Sequence, residues 1–328
     1  MMNKKIQNLI KITFNYKTIF GIIMSVAGIY WAFRDFSFDK FILMVKESEY
    51  IYIIIAGLAV MFSIWIRAIR WEYFFRQQKR IPVYSLFKAE LIGYFGNSVL
   101  PLRLGELLRA YIIRKEQKLS GSFVVGTIVL ERLLDTVGLL IFSILLIFII
   151  PLPEDIKVSI YWSILILGII GLITLVIVLK VKNLKNNHWI VNKIKIFFSA
   201  FHVLGGKLSG YTILITILLW ATYWFDVYLV QKSLNMNLGI AGSLVVLIIS
   251  SLAYAIPSAP GTIGTFHAAV KYSLVTLIGG YPPEIAVTFA IILHAYTYIL
   301  FTVTGGYYFM KSQFHTEAIS KIINNGDK

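Results

Sequence analysis

Six long apolar runs constrain this chain more than any other feature of its sequence. A helix that crosses a bilayer needs about 20 mainly apolar residues at a rise of 1.5 Å per residue. A composition that is 58% hydrophobic, with a mean hydropathy of +0.77, favours lipid as the main solvent. The sequence therefore predicts an all-α polytopic membrane protein with six transmembrane helices and no soluble domain. We place the spans at residues 18–33, 50–66, 122–150, 159–179, 211–230 and 284–310.

The charges between these runs predict an orientation. The chain has 31 Lys and Arg against 16 Asp and Glu, and the excess lies in short segments between apolar runs. Such segments are typical of cytoplasmic loops that face an anionic leaflet, and not of a nucleic-acid interface. Residues 1–17 carry four lysines and no acid, and the tail carries Lys311, Lys321 and Lys328. These charges predict a cytoplasmic-membrane protein with both termini in the cytoplasm. Arg67 and Arg70 end the second run, so we interpret them as anchors at the membrane interface.

Two further apolar segments, 83–113 and 238–279, are interrupted by proline and glycine. An offset of 159 relates Pro101 and Gly105 in the first segment to Pro260 and Gly264 in the second. The loop charges predict that each segment enters and leaves on one side, as a re-entrant broken-helix hairpin. The halves, about 50–150 and 211–310, would then be inverted repeats joined by the span 159–179. The alternative is a pair of ordinary spans kinked by proline. The predicted hairpin breaks are Pro101, Gly105, Pro257, Pro260, Gly261 and Gly264.

Three charged residues lie within the third apolar run. Glu131, Arg132 and Asp135 fall near the centre of the bilayer, where each charge costs about 2.5–3.5 kcal/mol. Glu131 and Asp135 share a helical face at a spacing of four, and Arg132 reaches Asp135 at a spacing of three. Two interpretations follow: a self-neutralising cluster that joins helices, or a substrate site that faces a cavity.

The first broken segment contains a second charged group. Arg103, Glu106 and Arg109 are spaced by three residues, which predicts that all three lie on one helical face, with Asn97 just before the break. A guanidinium group can bind a phosphate through two hydrogen bonds. The group is therefore either a headgroup site or a structural ladder of ion pairs.

Two histidines lie in the second half of the chain. His267 follows the second break by three residues, and His294 lies within the last apolar run. Either could carry a proton or bind a phosphate, because imidazole changes charge near neutral pH; each could equally be a buried structural imidazole. We expect His294 to line the lipid's crossing path and His267 to face an outer vestibule. Two histidines do not make a metal site, and the chain has no cysteine. We predict no metal, no cofactor and no catalytic residue.

Three motifs carry a resemblance to a known family. They read NSVLPLRLGELLR from Asn97, ERLLD from Glu131 and PSAPGTIG from Pro257. Together they resemble the flippase-like integral membrane family, which includes the membrane domain of lysylphosphatidylglycerol synthases and archaeal proteins linked to dolichol-phosphate glycosylation. The resemblance runs over about 65–308. His267 and His294 stand where many members have Glu and Arg.

The resemblance implies lipid translocation. We therefore expect a flippase or transporter that moves an anionic phospholipid or a polyprenyl-phosphate-linked lipid across the cytoplasmic membrane. We expect the lipid to be the main partner, alongside a separate lipid-modifying enzyme, and no nucleic acid. Two alternatives stay open: a membrane-embedded enzyme that modifies lipids by glycosyl or aminoacyl transfer, and an accessory subunit of a lipid synthase.

Overall fold

Every regular element in the described part of the chain is helical. A computed structural model describes residues 16–76, 78–149, 189–205 and 208–313, together with isolated helical positions between 154 and 176. The predicted span 159–179 therefore lies almost wholly outside the described residues. The helices are α1 Tyr16–Phe33, α2 Phe38–Lys46, α3 Tyr50–Phe75, α4 Val83–Val99, α5 Gly105–Gln117, α6 Gly121–Ile149, α7 Trp189–Ser199, α8 Leu208–Ser233, α9 Gly239–Ala253, α10 Thr265–Tyr272 and α11 Pro283–Lys311.

Four of these helices are long and apolar enough to cross a membrane. They are Tyr50–Phe75, Gly121–Ile149, Ser209–Ser233 and Pro283–Lys311, which match four of the predicted spans. A fifth crossing arises if α1 and α2, bent by 77° at a short break, are taken as one span. The protein is thus a multi-pass integral membrane protein with four or five candidate spans among the described residues. Helix α3 continues to Phe75, well beyond its predicted end at residue 66.

The chain divides into two compact units. The first comprises residues 1–62, 88–112 and 222–328, and the second comprises residues 63–87 and 113–221. In the first unit, Ile92, Leu108, Ile112 and Phe309 form an apolar core that joins α4, α5 and α11. A Cβ on Gly305 would overlap the carbonyl oxygen of Leu91, so glycine allows α11 to approach α4 closely.

Glycine also allows α1 to cross the second broken segment. A Cβ on Gly28 would lie 2.6 Å from the carbonyl carbon of Gly264, and a Cβ on Gly264 would overlap the backbone of Ser25. The hydroxyl of Ser25 accepts a hydrogen bond from the backbone N–H of Ala259 at 2.8 Å. Helix α1 is therefore fixed against the loop that precedes α10.

In the second unit, α6 is the central helix. A Cβ on Gly126 would overlap the carbonyl oxygen of Phe197, which places α7 directly against α6. A Cβ on Gly138 would overlap the indole of Trp220, which places α8 against another part of the same helix. The indole N–H of Trp71 in α3 donates to the hydroxyl of Thr127 at 2.9 Å.

Both apolar segments with Pro/Gly interruptions are broken, as predicted. In the first, α4 ends before a 3₁₀ turn at Pro101–Arg103, and α5 follows. In the second, α9 ends, Pro257 lies in the connecting loop, and a 3₁₀ turn at Pro260–Thr262 precedes α10. A π-helical stretch, Ser273–Ile278, continues α10.

The two breaks share a backbone feature that the sequence does not display. Arg103 and Thr262 have positive φ angles of 55° and 56°, and the offset of 159 relates them too. Positive φ is uncommon outside glycine and is strained for a β-branched residue such as Thr262. The two 3₁₀ turns contact each other within the first unit. The two breaks therefore share a backbone geometry and lie next to each other.

Candidate functional site

A cluster of ion pairs lies in the second unit, within the spans α3 and α6. The guanidinium of Arg67 donates to Glu131 at 2.6 Å and to Asp135 at 3.0 Å. Glu131 and Asp135 lie on one face of α6, as their spacing predicts, so a single arginine reaches both. Arg67 and Glu131 are buried, which joins α3 to α6 through charge rather than through apolar packing alone.

Two more arginines complete this cluster. Arg70 is wholly buried and donates to Asp135 at 2.6 Å and to the hydroxyl of Thr216 in α8 at 3.0 Å. Arg132 lies 2.9 Å from Glu131 and 3.4 Å from Asp135, and its side chain is 45% exposed. The interpretation of Arg67 and Arg70 as interface anchors is wrong. They are buried because the carboxylates of α6 lie opposite them.

The cluster contains more arginines than carboxylates. Within it, three arginines face two carboxylates, which gives these five side chains a formal charge of +1. Burying an ion pair is tolerated only when each charge has partners, and the chain provides them for Glu131 and Asp135. Arg132 is the most exposed member, so it is the group of the cluster that a solute can reach most easily.

The first broken segment holds a different arrangement from the predicted one. Arg109 is buried and donates to Glu106 at 2.5 Å, and it also donates to Glu90 of α4. Arg103 does not share the helical face of these residues, because it lies in the 3₁₀ turn before α5 begins, with left-handed backbone. The prediction of one face with three charges is therefore wrong, and Arg109 instead joins α4 to α5. Sequence reasoning missed Glu90, although an acid within an apolar run is itself a signal.

Arg103 and Asn97 lie close to the first break. The Arg103 side chain is exposed, and its guanidinium carbon lies 5.5 Å from the ring centre of Tyr254. The side-chain oxygen of Asn97 is buried and accepts no hydrogen bond from any described residue. A Cβ on Gly105 would lie 2.6 Å from that oxygen, so the glycine leaves room for it.

The two histidines lie together at the second break. The ring centres of His267 and His294 are 5.1 Å apart in an edge-to-face arrangement, and both side chains are buried. Nε2 of His294 lies 2.8 Å from the carbonyl oxygen of Gly261, which the break leaves without a helical partner. Nδ1 of His267 has no hydrogen-bond partner among the described residues. Burial of His267 against His294 does not agree with its expected exposure in an outer vestibule.

Helix α11 reaches both breaks from one face. His294 contacts the second break, and four residues later the hydroxyl of Tyr298 donates to the carbonyl oxygen of Ser98, at the end of α4, at 3.2 Å. Tyr298 also packs against Gly261, where a Cβ would lie 2.7 Å from its ring. One turn of α11 therefore contacts backbone carbonyl groups of both broken segments.

A second acid in a membrane span was missed from the sequence. Asp226 of α8 is buried and accepts a hydrogen bond from the hydroxyl of Tyr296 in α11. The signal was again a single acid within an apolar run. No group of three or more His, Asp or Glu side chains in the described ranges is arranged to hold a metal ion.

Comparisons with known proteins agree with this architecture. The family profile described as "Lysylphosphatidylglycerol synthase TM region" matches residues 18–305. A UPF0104 membrane protein of Methanocaldococcus jannaschii is 36% identical over 191 residues, which are 55% of this chain and 79% of that protein. A UPF0104 membrane protein of Pyrococcus horikoshii is 25% identical over 166 residues, which are 49% of this chain and 47% of that protein.

A second UPF0104 membrane protein of Methanocaldococcus jannaschii is 29% identical over 145 residues, 42% of this chain and 41% of that protein. No solved structure matches the chain. The profile extends over most of the chain and includes the ion-pair cluster, both breaks and the two histidines. The chain belongs to the family of the lysylphosphatidylglycerol synthase transmembrane region.

Proposed function

We propose that this protein moves an anionic lipid across the cytoplasmic membrane. The lipid is a phospholipid or a polyprenyl-phosphate-linked lipid, and both termini of the protein lie in the cytoplasm. The observation that carries the proposal is the ion-pair cluster in the membrane spans, with its formal positive charge and its half-exposed Arg132. A guanidinium group binds phosphate through charge-assisted hydrogen bonds, and the exposed side chain of Arg132 would do so here.

The two broken segments support the same proposal. Helix breaks at membrane depth are tolerated only where protein or an aqueous cavity satisfies their backbone groups. In secondary transporters, inverted repeats place such breaks around the substrate site, and alternation between two related arrangements opens the site to either side. The contact between the 3₁₀ turns at Pro101–Arg103 and Pro260–Thr262 fits that plan, with each segment acting as a re-entrant hairpin.

A liposome assay tests the proposal directly. The purified protein is reconstituted with lipids that carry a fluorophore on an acyl chain, and a reductant that does not cross the membrane quenches the outer leaflet. We expect fluorescent phosphatidylglycerol or a fluorescent polyprenyl phosphate to move from the inner to the outer leaflet, where the reductant quenches it. Fluorescent phosphatidylcholine should move much more slowly. Absence of crossing for every anionic lipid, with correctly folded protein, would contradict the proposal.

Arg132 provides the matched variant. Loss of one charge-assisted hydrogen bond costs about 1.5–3 kcal/mol, so Arg132→Gln should slow anionic-lipid crossing about tenfold or more. Arg132→Lys should keep part of the rate because it retains the charge. The control is Arg76→Gln, which removes a 35% exposed arginine whose ion pair with Glu72 lies at the end of α3. Equal rates for Arg132→Gln and Arg76→Gln would contradict the role given to Arg132.

The same preparation separates transport from the two alternative functions. A lipid-modifying enzyme would convert an added lipid into a new product, which mass spectrometry of the extracted lipids detects. An accessory subunit would leave crossing absent, and Arg132→Gln would have no effect on its partner's activity. We expect crossing without chemical change of the lipid.

A further inference from the structure

An open groove of about 600 Å³ lies in the second unit, between α7 and the first two turns of α6. Its apolar lining includes Val125 from α6 and Ile190, Ile194 and Phe197 from α7. Its volume lies within the range of roughly 300–1,000 Å³ that is usual for small-molecule sites. The groove lies away from the ion-pair cluster along α6, and the proposed transport does not use it.

Helix α7 exposes apolar side chains while it packs on α6. Phe197 approaches Gly126 closely, and Ala200, which follows α7, is buried. Trp189, by contrast, is 60% exposed, and Ile190 and Ile194 are exposed too. A short helix with exposed apolar residues, lysines and a tryptophan is typical of a segment that lies in the membrane interface.

The charge around the groove has one sign. Residues 180–210 contain six lysines and no acid. Lys193 lines the groove, and its ammonium lies 4.4 Å from the ring centre of Trp189. Gly121 also lines the groove, and the guanidinium carbon of Arg114 lies 3.6 Å from the position that a Cβ on Gly121 would occupy. Lys193 thus lines a cleft that is otherwise mainly apolar, and Arg114 lies next to its Gly121 wall.

We infer that this groove is a binding site for an anionic phospholipid of the adjacent leaflet. One acyl chain lies against Val125, Ile190, Ile194 and Phe197, and the headgroup phosphate is held by Lys193 and Arg114. Charge complementarity selects this occupant, because an uncharged acyl chain alone would not need the cations and a soluble anion would not need the apolar lining. The inference does not rest on the proposed transport function.

Photo-crosslinking tests the site in the full-length protein. The protein is reconstituted in liposomes that contain phosphatidylglycerol with a diazirine in one acyl chain, and the crosslinked peptides are identified by mass spectrometry. We expect labelling within residues 121–125 and 189–198. Phosphatidylcholine with the same acyl chain should label these peptides about five- to thirtyfold less, which corresponds to about 1 kcal/mol for each cation. Equal labelling by both lipids, or labelling only elsewhere, would overturn the inference.

Two variants separate the headgroup contacts from the apolar groove. The double variant with Lys193→Gln and Arg114→Gln should reduce phosphatidylglycerol labelling to the phosphatidylcholine level. Val125→Trp should fill the groove and reduce labelling by both lipids. The matched control is Lys232→Gln, because Lys232 lies 5.6 Å from the ring centre of Tyr228 in the first unit and is remote from the groove in sequence. Unchanged labelling in the double variant, or the same loss in the control, would overturn the inference.

Two further measurements test the folding of the variants and the nature of the bound anion. Circular dichroism and size-exclusion elution should be the same for all variants, and Val125→Trp provides a readout independent of charge. Inorganic phosphate or glycerol phosphate, added before irradiation, should not reduce the amount of crosslinked lipid. A reduction would identify a site for free anions and overturn the lipid assignment. The translocation assay on the same variants is a separate readout, so a failure of transport leaves the labelling result intact.

Discussion

Arg70 is the residue whose removal tests the buried cluster most directly. It is wholly buried and bonds Asp135 at 2.6 Å, so water cannot replace this contact as it can for an exposed arginine. Replacement of Arg70 by Met keeps much of the side-chain volume and removes the charge. Asp135 then retains Arg67 and the longer contact to Arg132. Breaking one partner of a buried ion pair costs about 3–5 kcal/mol.

This cost predicts a measurable loss of thermal stability. The entropy of unfolding is about 2.1 cal/mol/K per residue, so one kcal/mol shifts the melting temperature of a chain of 328 residues by about 1.5 °C. Arg70→Met should therefore lower the melting temperature by roughly 4–7 °C. The measurement is the tryptophan-fluorescence melting curve of the purified protein in detergent micelles. Asp135→Asn and the double variant complete a thermodynamic cycle, in which the two changes should be non-additive by about 0.5–3 kcal/mol.

The control for this cycle is Arg76→Gln. Arg76 is partly exposed and pairs with Glu72 at a spacing of four, so its loss should cost about 0.5 kcal/mol or less. If Arg70→Met melts at the temperature of Arg76→Gln, or if its effect simply adds to that of Asp135→Asn, the cluster is not a buried ion-pair network. The proposal that Arg132 is its reachable member would then lose its basis.

Three further predictions concern other contacts. Gly138→Ala should destabilise the protein by about 1–3 kcal/mol, because the new methyl group overlaps the indole of Trp220; melting curves against a Gly210→Ala control, where the space is open, measure it. His294→Phe should cost about 0.5–1.5 kcal/mol in the same assay, since the carbonyl oxygen of Gly261 loses the imidazole and keeps only the hydroxyl of Thr262. The hydrogen bond from Lys271, followed by that from Arg34, lowers the pKa of Asp35 below its ordinary value of 3.8. The ionised Asp35 carboxylate therefore stabilises the fold fully above pH 3.8, and this stabilisation is lost as the pH falls through the lowered pKa. Asp35→Asn should abolish that acid-range loss of melting temperature, and an unchanged pH profile would contradict the assignment.

The sequence predicted the features that depend on local chemistry. Proline cannot continue a helix and glycine accepts unusual backbone angles, so the breaks at Pro101 and Pro260 could be placed to within a residue or two. The shared face of Glu131 and Asp135 follows directly from helical periodicity, and Arg67 confirms it by bonding to both. In each case the deciding interaction lies within a few residues of the chain.

The errors concern contacts between residues far apart in the sequence. From the sequence, Arg67 resembles an interface anchor, but it binds Glu131, which lies 64 positions later in the chain. The spacing of Arg109 suggests a local series of ion pairs within one helix, but Arg109 also binds Glu90 on the preceding helix. Helical periodicity also predicts the wrong position for Arg103. A spacing of three residues defines a shared face only within a helix, and α5 begins after Arg103. None of these three outcomes follows from spacing alone.

The two broken segments share backbone geometry at their breaks, but the side chains related by the same offset differ in chemistry. The offset of 159 that relates the breaks also relates Arg67 to Asp226 and Asp135 to His294. Arg67 and Asp135 form an ion pair, whereas Asp226 accepts from a tyrosine and His294 contacts a backbone carbonyl. Break geometry depends on proline, glycine and backbone angles, so it survives changes in neighbouring side chains. An anionic headgroup should therefore bind more strongly to the arginines of the ion-pair cluster than to the surroundings of Asp226 and His294. In the proposed transport, a headgroup would therefore leave the surroundings of Asp226 and His294 more readily than it leaves the arginines. This difference changes the release rates, whereas a net direction requires an energy source or a lipid gradient.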